Sequence, residues 1–366
     1  MREIKPVVFP KDNGPHDFIV EWWYFNGHLY DTKGKEYSFM DCFFKVNISK
    51  VNIPHLAHNL IEDIFKDGEY VHFAHAVLTD ISNNKTHKEI QNISFVSKDS
   101  FKKDLLFIDY KNAHILGEES KGSIVEISPN DFHIKNKYLD LILDSHKKPL
   151  LEGGHGYVGT PDDGSYYYSF TDLSVAGSIN INGVDTEVKG KAWMDHQWAD
   201  TTYKGKNDKW TWFSFQLENG TEIMCVEYDR ELLGTDILID IIDKDGNQKQ
   251  YKKAILRPGN KFYKSKSTKS RYPLSWNINI EEAGIKIKTE AFAREQEMIF
   301  GQINYWEGPM RVVVDIKGQK VKGKGYMELV GYKSDYNYLI LEGEEFEKSL
   351  FKKIRKYLNH SFRYLK

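Results

Sequence analysis

Apolar residues along this chain form short segments that predict β-strands rather than helices. The segments are rich in aromatic and β-branched residues, and turns containing Gly or Asn separate them. A hairpin over residues 178–188 turns at Asn182 and Gly183, a pair that strongly favours a tight β-turn. The other predicted strands span residues 37–46, 71–79, 165–173, 210–217, 221–228, 236–242, 275–280, 284–292, 299–306, 311–317 and 323–332.

The regular spacing of these strands predicts an all-β protein with antiparallel strands, because no helices alternate with them as in a parallel sheet. A polar stretch over 199–208 marks a boundary between two halves, 1–200 and 205–340. A second polar stretch, over 261–271, predicts an exposed loop. Each half is long enough for a barrel of about eight strands, which can enclose one small ligand.

Five apolar residues recur every four positions near the C-terminus and predict an amphipathic helix over 343–366. They are Phe346, Leu350, Ile354, Leu358 and Phe362, with Lys and Arg between them. Two roles for this helix stay open. It packs on the second half, or its basic face contacts a membrane surface.

The composition indicates a globular protein with large cores. Of its 366 residues, 40% are hydrophobic and 14% aromatic, and the net charge of −2 gives no indication of nucleic-acid binding. Cys42 and Cys225 lie in separate apolar runs and are predicted to be buried free thiols. Residues 1–6 lack the apolar core of a signal peptide, and no run of about 18 apolar residues occurs. We therefore expect a cytoplasmic protein, although a leader removed before residue 1 stays open.

The segment around Asp195 and His196 places an acid beside an imidazole and between two indoles, Trp193 and Trp198. A carboxyl group surrounded by rings is poorly solvated, which raises its pKa and allows it to donate a proton near neutral pH. The alternative is that both Trp side chains belong to the core and that Asp195 caps a turn.

Three consecutive tyrosines occur earlier, at 166–168. On a strand, Tyr166 and Tyr168 share one face while Tyr167 takes the other. Buried tyrosines need partners for their hydroxyl groups, which a cavity wall or contact with Asp195 or His196 would supply. The alternative is a barrel edge at which these hydroxyl groups are solvated.

The first predicted strand, near residues 21–29, is also rich in rings. Trp22, Tyr24 and Asn26 would share one face, and Trp23 would lie on the other. Asn26 or His28 would then direct a polar group into a pocket that is otherwise lined by rings.

Other motifs indicate no further site. Residues 154–159 match G-x-G-x-x-G, but a turn rather than a helix follows, which argues against a dinucleotide site. No G-x-S-x-G, no H-E-x-x-H and no cysteine cluster occurs, and His72 and His75 would point to opposite faces of a strand. We therefore predict no metal and no cofactor.

Motifs that span roughly residues 6–335 carry a resemblance to a known family. They are the ring-rich segment 21–29, the pair formed by 165–169 and 193–198, and the late pair formed by 305–308 and 325–332. Together they resemble the AttH-like, carotenoid 1,2-hydratase-like group of lipocalin-related proteins. The resemblance implies two tandem lipocalin-like β-barrels, with a site at the Asp-His motif. Some members hydrate an isoprenoid or prenyl double bond, related fungal proteins direct intramolecular cycloadditions, and others are described only as hydrolases or as associated with transport.

A mechanism that fits these residues begins with protonation of an alkene by Asp195. The resulting cation would lie against the rings of Trp193, Trp198 and Tyr168, and His196 or a tyrosine would take a proton from the attacking water. Without water the cation would cyclise. This mechanism requires Asp195 and His196 to point apart, because an ion pair between them would keep the acid ionised. The remaining residues of the predicted substrate site are Trp23, Tyr24, Asn26, His28 and Tyr166.

Two other functions stay open. A ring-lined pocket suits a carrier of a hydrophobic small molecule equally well, and it also suits a pericyclase-like chamber for a polyketide. The carrier hypothesis predicts that the Asp195→Asn variant keeps its ligand binding and loses no function. The acid mechanism predicts that this variant binds its ligand and no longer converts it.

Overall fold

The structure is a computed structural model that describes residues 3–47, 70–96, 104–109, 122–200, 208–230, 234–300 and 303–332. Within these ranges the regular structure is almost entirely β-strand, which confirms the all-β prediction. The predicted helix over 343–366 lies outside the described residues, as does most of the polar stretch before residue 208. No helix in the described ranges is long and apolar enough to cross a membrane.

The first sheet is built from residues 20–199 and has twelve strands in the described ranges. They are β1 (Val20–Asp31), β2 (Glu36–Asn47), β3 (Tyr70–Asp80), β4 (Lys85–Val96), β5 (Phe107–Asp109), β6 (Ser123–Ser128), β7 (Asp131–Lys135), β8 (Leu139–Ser145), β9 (Leu150–Leu151), β10 (Tyr157–Thr160), β11 (Asp163–Ile181) and β12 (Val184–Ala199). Their order is β4-β3-β2-β1-β12-β11-β8-β7-β6-β5, and β9 and β10 also pair with β11.

The second sheet is built from residues 209–330. Its strands are β13 (Lys209–Leu217), β14 (Glu222–Arg230), β15 (Gly234–Ile242), β16 (Gln248–Tyr251), β17 (Ile255–Pro258), β20 (Ser275–Ile280), β21 (Ile285–Ala291), β22 (Glu297–Phe300), β23 (Ile303–Ile316) and β24 (Gln319–Val330). The order is β16-β15-β14-β13-β24-β23-β21-β20-β17, and β22 pairs with β23. Two further strands, β18 (Phe262–Lys264) and β19 (Arg271–Pro273), pair only with each other. The described residues also contain three short 3-10 turns: Lys11–Asn13, Glu152–Gly154 and Glu281–Ala283.

The two sheets share one pattern of connection. Each begins with an antiparallel meander of four strands, and its first strand also pairs with its last, β1 with β12 and β13 with β24. Strands β11 and β12 form the hairpin predicted at Asn182 and Gly183, where both residues have positive φ as a type I′ turn requires.

Both faces of the central strands are buried. Trp23 and Phe25 of β1 lie in an apolar cluster inside the first sheet, and Tyr24 between them lies in a cluster that both sheets share. In the second sheet, Phe213 faces an interior cluster and Trp212 faces the first sheet. The sheets therefore pack face to face, and strands buried on both faces contain continuous runs of rings instead of a clean alternation.

Two predictions about local structure are wrong. The predicted strand 299–306 is two strands, because β22 ends at Phe300 and β23 begins at Ile303, and the two pair as a hairpin. The stretch 261–271 is not simply an exposed loop, because it contains β18 and its Ser265 and Thr268 hydroxyl groups are buried and donate to the Glu297 carboxylate. The buried hydroxyl groups account for part of its polar composition, and the exposed side chains of Lys261, Lys264, Lys266, Ser267, Lys269 and Arg271 account for the rest.

Candidate active site

Strand β12 directs Asp195 and His196 to opposite faces of the first sheet. His196 stacks on Trp23 and lies against Trp198, both of which belong to the first sheet's interior cluster. Asp195 faces the second sheet beside Trp193, a member of the shared cluster. The two side chains therefore form no ion pair, which is the separation that an acid role for Asp195 requires.

The Asp195 carboxyl group is buried and accepts three hydrogen bonds. The Ser169 hydroxyl and the Trp193 indole each donate to Oδ1 at 2.6 Å, and the Tyr167 hydroxyl donates to Oδ2 at 2.7 Å. Burial raises the pKa of Asp195 from its ordinary value of 3.8 to about 6, although these three hydrogen bonds oppose the rise. Asp195 is therefore an acid that retains its proton well above the usual range of an aspartate.

A cleft of about 570 Å³ lies between the two sheets and reaches Tyr167. Its rings are those of Trp22, Tyr157, Tyr167, Trp210 and Tyr228, and Gln197 and Gln250 supply amide groups. Asp195 does not line the cleft itself. Among the cleft rings, Tyr167 is the one whose hydroxyl donates a hydrogen bond to Asp195, and this hydroxyl also accepts a hydrogen bond from Trp212 Nε1 at 3.0 Å. Tyr167 thus joins the acid to the wall of the cleft.

The glycine-rich segment at 153–159 forms part of the cleft wall. Gly159 has a φ of +104°, and a Cβ at this position would lie 2.6 Å from the Asp163 carbonyl oxygen. Only glycine fits here, because the backbone turns sharply into β11. The glycine at this position therefore serves the turn of the chain into β11.

A second carboxyl group, that of the half-buried Glu328, lies behind Trp210. Trp210 Nε1 donates to Glu328 Oε2 at 2.8 Å, and burial raises the pKa of Glu328 to about 7. Beside it, the Tyr24 hydroxyl donates a hydrogen bond to the Glu307 carboxyl group. Burial and the charge of Glu328 raise the pKa of Glu307 well above its ordinary value. The face between the sheets therefore holds several carboxyl groups that favour their protonated forms.

His196 belongs to a different network, centred on Glu21. His196 Nε2 lies 2.9 Å from Glu21 Oε1, and Lys45 Nζ lies 2.5 Å from Oε2. Burial opposes ionisation of Glu21, but the charge of Lys45 and hydrogen bonds from His16 and His196 outweigh it and lower the pKa of Glu21 well below 4.5. Burial lowers the pKa of His196 to about 4, so the imidazole is neutral at pH 7. The Tyr168 hydroxyl lies 3.0 Å from His196 Nδ1.

The ligand atoms of His16, Glu21 and His196 lie within 4.8 Å of one another, close enough to suggest a metal site. The chemistry of the group argues against one. Both imidazoles already bond Glu21 Oε1, and the Lys45 ammonium neutralises the same carboxylate and would repel a cation. We interpret this group as a structural ion-pair network.

The structure does not bring all predicted site residues together. Trp23, Tyr166, Tyr168 and Trp198 lie with His196 inside the first sheet, so none of them can contact a substrate beside Asp195. The reason is the alternation of β11 and β12, which sends neighbouring side chains to opposite faces.

Trp193, Tyr24, Asn26 and His28 do share the Asp195 face, but none of the four lines the cleft. The His28 ring bonds the Gly325 carbonyl oxygen at 3.0 Å, and Asn26 is buried. Both residues therefore face the second sheet and not the cleft.

Sequence reasoning missed Tyr167 and Ser169 as partners of Asp195. Ser169 lies directly opposite Asp195 in the pairing of β11 with β12, and Tyr167 lies opposite Gln197. The alternation alone places Tyr167 on the face away from Tyr166 and Tyr168. The missing information was the register, which places Ser169 opposite Asp195 and Tyr167 two residues before Ser169 on the same face.

The sequence profile of the AttH-like family matches residues 1–332. The chain belongs to the AttH-like family. Among solved structures it is similar to an AttH protein of Nitrosomonas europaea, at 25% identity and a TM-score of 0.69, covering 90% of this chain and 98% of that one. It also shares its fold with kievitone hydratase of Nectria haematococca, at 15% identity and a TM-score of 0.66, covering 89% and 93% of the two chains.

Among curated proteins, the AttH-like chain is similar to the dehydratase asqC of Emericella nidulans. The two are 22% identical over 210 residues, which is 53% of this chain and 58% of the dehydratase. The match therefore spans little more than half of that protein.

Proposed function

We propose that this AttH-like chain is an enzyme, a hydro-lyase or cyclase, that protonates a hydrophobic isoprenoid or polyene substrate in the cleft between the sheets. One observation carries the proposal: Asp195, a buried acid with a raised pKa, is joined through the Tyr167 hydroxyl to a ring-lined cleft. The names of two similar proteins, a dehydratase and a hydratase, support this class of reaction.

The geometry suggests how the proton travels. When Asp195 is protonated, its Oδ2 proton moves to the Tyr167 oxygen while Tyr167 gives its own proton to an alkene carbon. The π electrons form the new C–H bond, and the neighbouring carbon becomes a cation. Trp212 Nε1 donates to the same Tyr167 oxygen and fixes its position.

The cation then lies among the rings of the cleft. Trp22, Trp210 and Tyr228 line it and take the place of Trp198 and Tyr168, which face away. Addition of water forms a C–O bond, and the extra proton leaves to the solvent of the cleft. If water is excluded, a second double bond attacks the cation, a ring forms, and the new ring cation loses a proton to give an isomer of the substrate. Asp195 must regain a proton before the next turnover.

A panel of prenylated and polyene compounds tests the proposal, with products detected by mass spectrometry. Wild type is compared with Asp195→Asn and with Tyr167→Phe and Tyr168→Phe, which remove the same hydroxyl group from opposite faces of β11. We expect a gain of one water, or an isomer of unchanged mass, and a loss of about 10²–10⁴-fold in Asp195→Asn and Tyr167→Phe but not in Tyr168→Phe. Undiminished turnover by Asp195→Asn contradicts the acid role.

The ring-lined cleft also favours a second candidate function, a carrier that binds a hydrophobic small molecule without converting it. The same panel distinguishes the two. A carrier returns its ligand unchanged, and Asp195→Asn binds that ligand with wild-type affinity.

We further propose that the halves 1–200 and 205–340 are two lipocalin-like barrels. The matching connection of the two sheets supports this, because in each the first strand pairs with the last. Proteolytic cleavage near residues 201–207 should then yield two fragments that stay associated through the shared face. Rapid degradation of either half after this cleavage argues for a single inseparable unit.

A further inference from the structure

His155 belongs to the glycine-rich segment at 153–159, and it lines the cleft. Gly154 before it and Gly156 after it have φ values of +81° and +82°, a backbone conformation that glycine adopts without strain. The side chain of His155 itself is exposed. The chain therefore turns sharply on both sides of one histidine and presents its ring at the cleft.

Backbone hydrogen bonds fix this segment to both sheets. The Tyr167 N–H donates to the Gly156 carbonyl oxygen at 3.0 Å, and the Gly153 N–H donates to Asp240 Oδ2 in the second sheet at 2.9 Å. Gly156 directly follows His155, and Tyr167 is the residue that joins the acid to the cleft wall. The imidazole and the Tyr167 hydroxyl thus line one cleft from neighbouring backbone positions.

The contact with Gly153 determines which ring nitrogen of His155 carries a hydrogen. His155 Nδ1 lies 2.8 Å from the Gly153 carbonyl oxygen. A carbonyl oxygen can only accept, so in the neutral ring Nδ1 holds the hydrogen and donates it, and Nε2 keeps a lone pair. Among the described residues, no hydrogen-bond donor contacts this Nε2. It can therefore take a proton from a molecule in the cleft.

The other charged groups of the cleft are less suited to take a proton. The basic ones are Lys209, Arg230 and Lys252, which have no lone pair to offer while they are cations. The acidic ones are Asp163, Asp208 and Asp236. Carboxylates are weaker bases than imidazole, which is the group that most often takes up protons in catalysis near neutral pH. Among the described residues that line the cleft, only His155 has an imidazole.

We propose that His155 is the base of the cleft, and that its Nε2 takes the proton that ends the reaction. In a hydration this proton comes from the added water, and in a cyclisation it comes from a carbon of the ring cation. The proposal rests on the proposed acid role of Asp195, because that acid forms the cation. Acid and base then lie on the same wall, with Tyr167 delivering one proton and His155 removing another.

The protons balance over one turnover. Asp195 protonates the alkene through Tyr167 and becomes ionised. In a hydration, a lone pair of water forms the C–O bond, and the extra proton on this oxygen moves to His155 Nε2. In a cyclisation, a C–H bond beside the cationic carbon breaks, its electrons form a double bond, and the proton moves to the same nitrogen. The exposed imidazolium releases its proton to solvent. Tyr167 then takes a proton from solvent and gives its own to Asp195 Oδ2, the atom that lost one.

The first test needs no substrate. The ring nitrogens of the histidines are observed by NMR at alkaline pH in wild type and in His155→Gln, whose missing signals identify His155. We expect its Nε2 signal at the position of a nitrogen without hydrogen and its Nδ1 signal at the position of a nitrogen that carries one. A hydrogen on Nε2 overturns the proposal, because this atom could not then take a proton.

The second test uses the first compound of the panel that wild type converts. In His155→Gln, whose amide cannot take a proton, we expect kcat to fall by about 10²-fold while KM changes little. Added imidazole should restore turnover in His155→Ala, since this side chain is exposed, and should leave wild type unaffected. The control is His146→Gln, the same substitution at an exposed histidine that does not line the cleft, and it should keep the wild-type kcat.

Three results overturn the base role. They are an unchanged kcat in His155→Gln, a loss in His155→Ala that imidazole does not restore, and an equal loss in His146→Gln. The second of these indicates a merely structural histidine. If wild type converts no compound of the panel, or if Asp195→Asn retains turnover, the proposed function itself fails, and the base role fails with it.

Discussion

Replacement of Asp195 by Asn should change how the stability of the protein depends on pH. Burial raises the pKa of Asp195 from 3.8 to about 6 in the folded state. The folded protein therefore binds more protons than the unfolded chain between these two values, and stability falls as the pH rises through this window. The difference between the two pKa values corresponds to about 3 kcal/mol, of which about 2 kcal/mol is lost between about pH 4.5 and pH 8.

Asp195→Asn removes this loss, because the amide is neutral throughout. It keeps an acceptor for Ser169 and Trp193, and at acidic pH it costs only the altered hydrogen bond with Tyr167, about 1 kcal/mol. The charge of Asp195 also raises the pKa values of Glu307 and Glu328. Its removal lowers these pKa values and so also reduces the loss of stability at high pH.

Urea unfolding of wild type and variant across this pH range, followed by tryptophan fluorescence, measures the effect. The free energy of unfolding of Asp195→Asn minus that of wild type should increase by about 2 kcal/mol from about pH 4.5 to pH 8. Asp245→Asn, at an exposed turn, controls for the substitution itself. A difference that stays constant with pH refutes the reasoning, because Asp195 would then titrate alike in folded and unfolded chains.

Three further predictions concern the surrounding structure. Glu21→Gln removes the carboxylate that pairs with the buried Lys45 ammonium and should lower the free energy of unfolding by about 3–5 kcal/mol at neutral pH, with a smaller difference in acid; a loss below about 1 kcal/mol in urea unfolding contradicts a buried pair. Gly159→Ala should lose about 1–3 kcal/mol and lower the Tm, and an unchanged Tm means that this turn relaxes. Zinc should leave the Tm of wild type unchanged, since His16 and His196 already bond Glu21; a higher Tm with zinc argues for a metal site there.

The strands and their alternation could be predicted from the sequence because they depend on local patterns. Asn182 and Gly183 specify their turn by conformation alone, and the opposite directions of Asp195 and His196 follow from any extended backbone. The aromatic runs also indicated deep burial. They did not show which face meets the other sheet, because strands buried on both sides contain rings at every position.

Two of the three partners of Asp195 could not be predicted, because Ser169 and Tyr167 lie on another strand. Ser169 and Tyr167 depend on the register of a long hairpin whose pairing shifts between Phe170 and Leu173. Trp212, which donates a hydrogen bond to Tyr167, belongs to the other sheet. A pattern read along one strand contains no information about such contacts.

The pairing of first with last strand has a consequence for synthesis. Val20 pairs with Ala199, and Trp210 pairs with Val330, so neither sheet can complete its centre until nearly all of its own residues have left the ribosome. Until then one edge of β1, and later one of β13, exposes apolar side chains and unpaired backbone groups that attract other chains. The nascent protein should therefore fold slowly, in two stages, and need protection by chaperones during each.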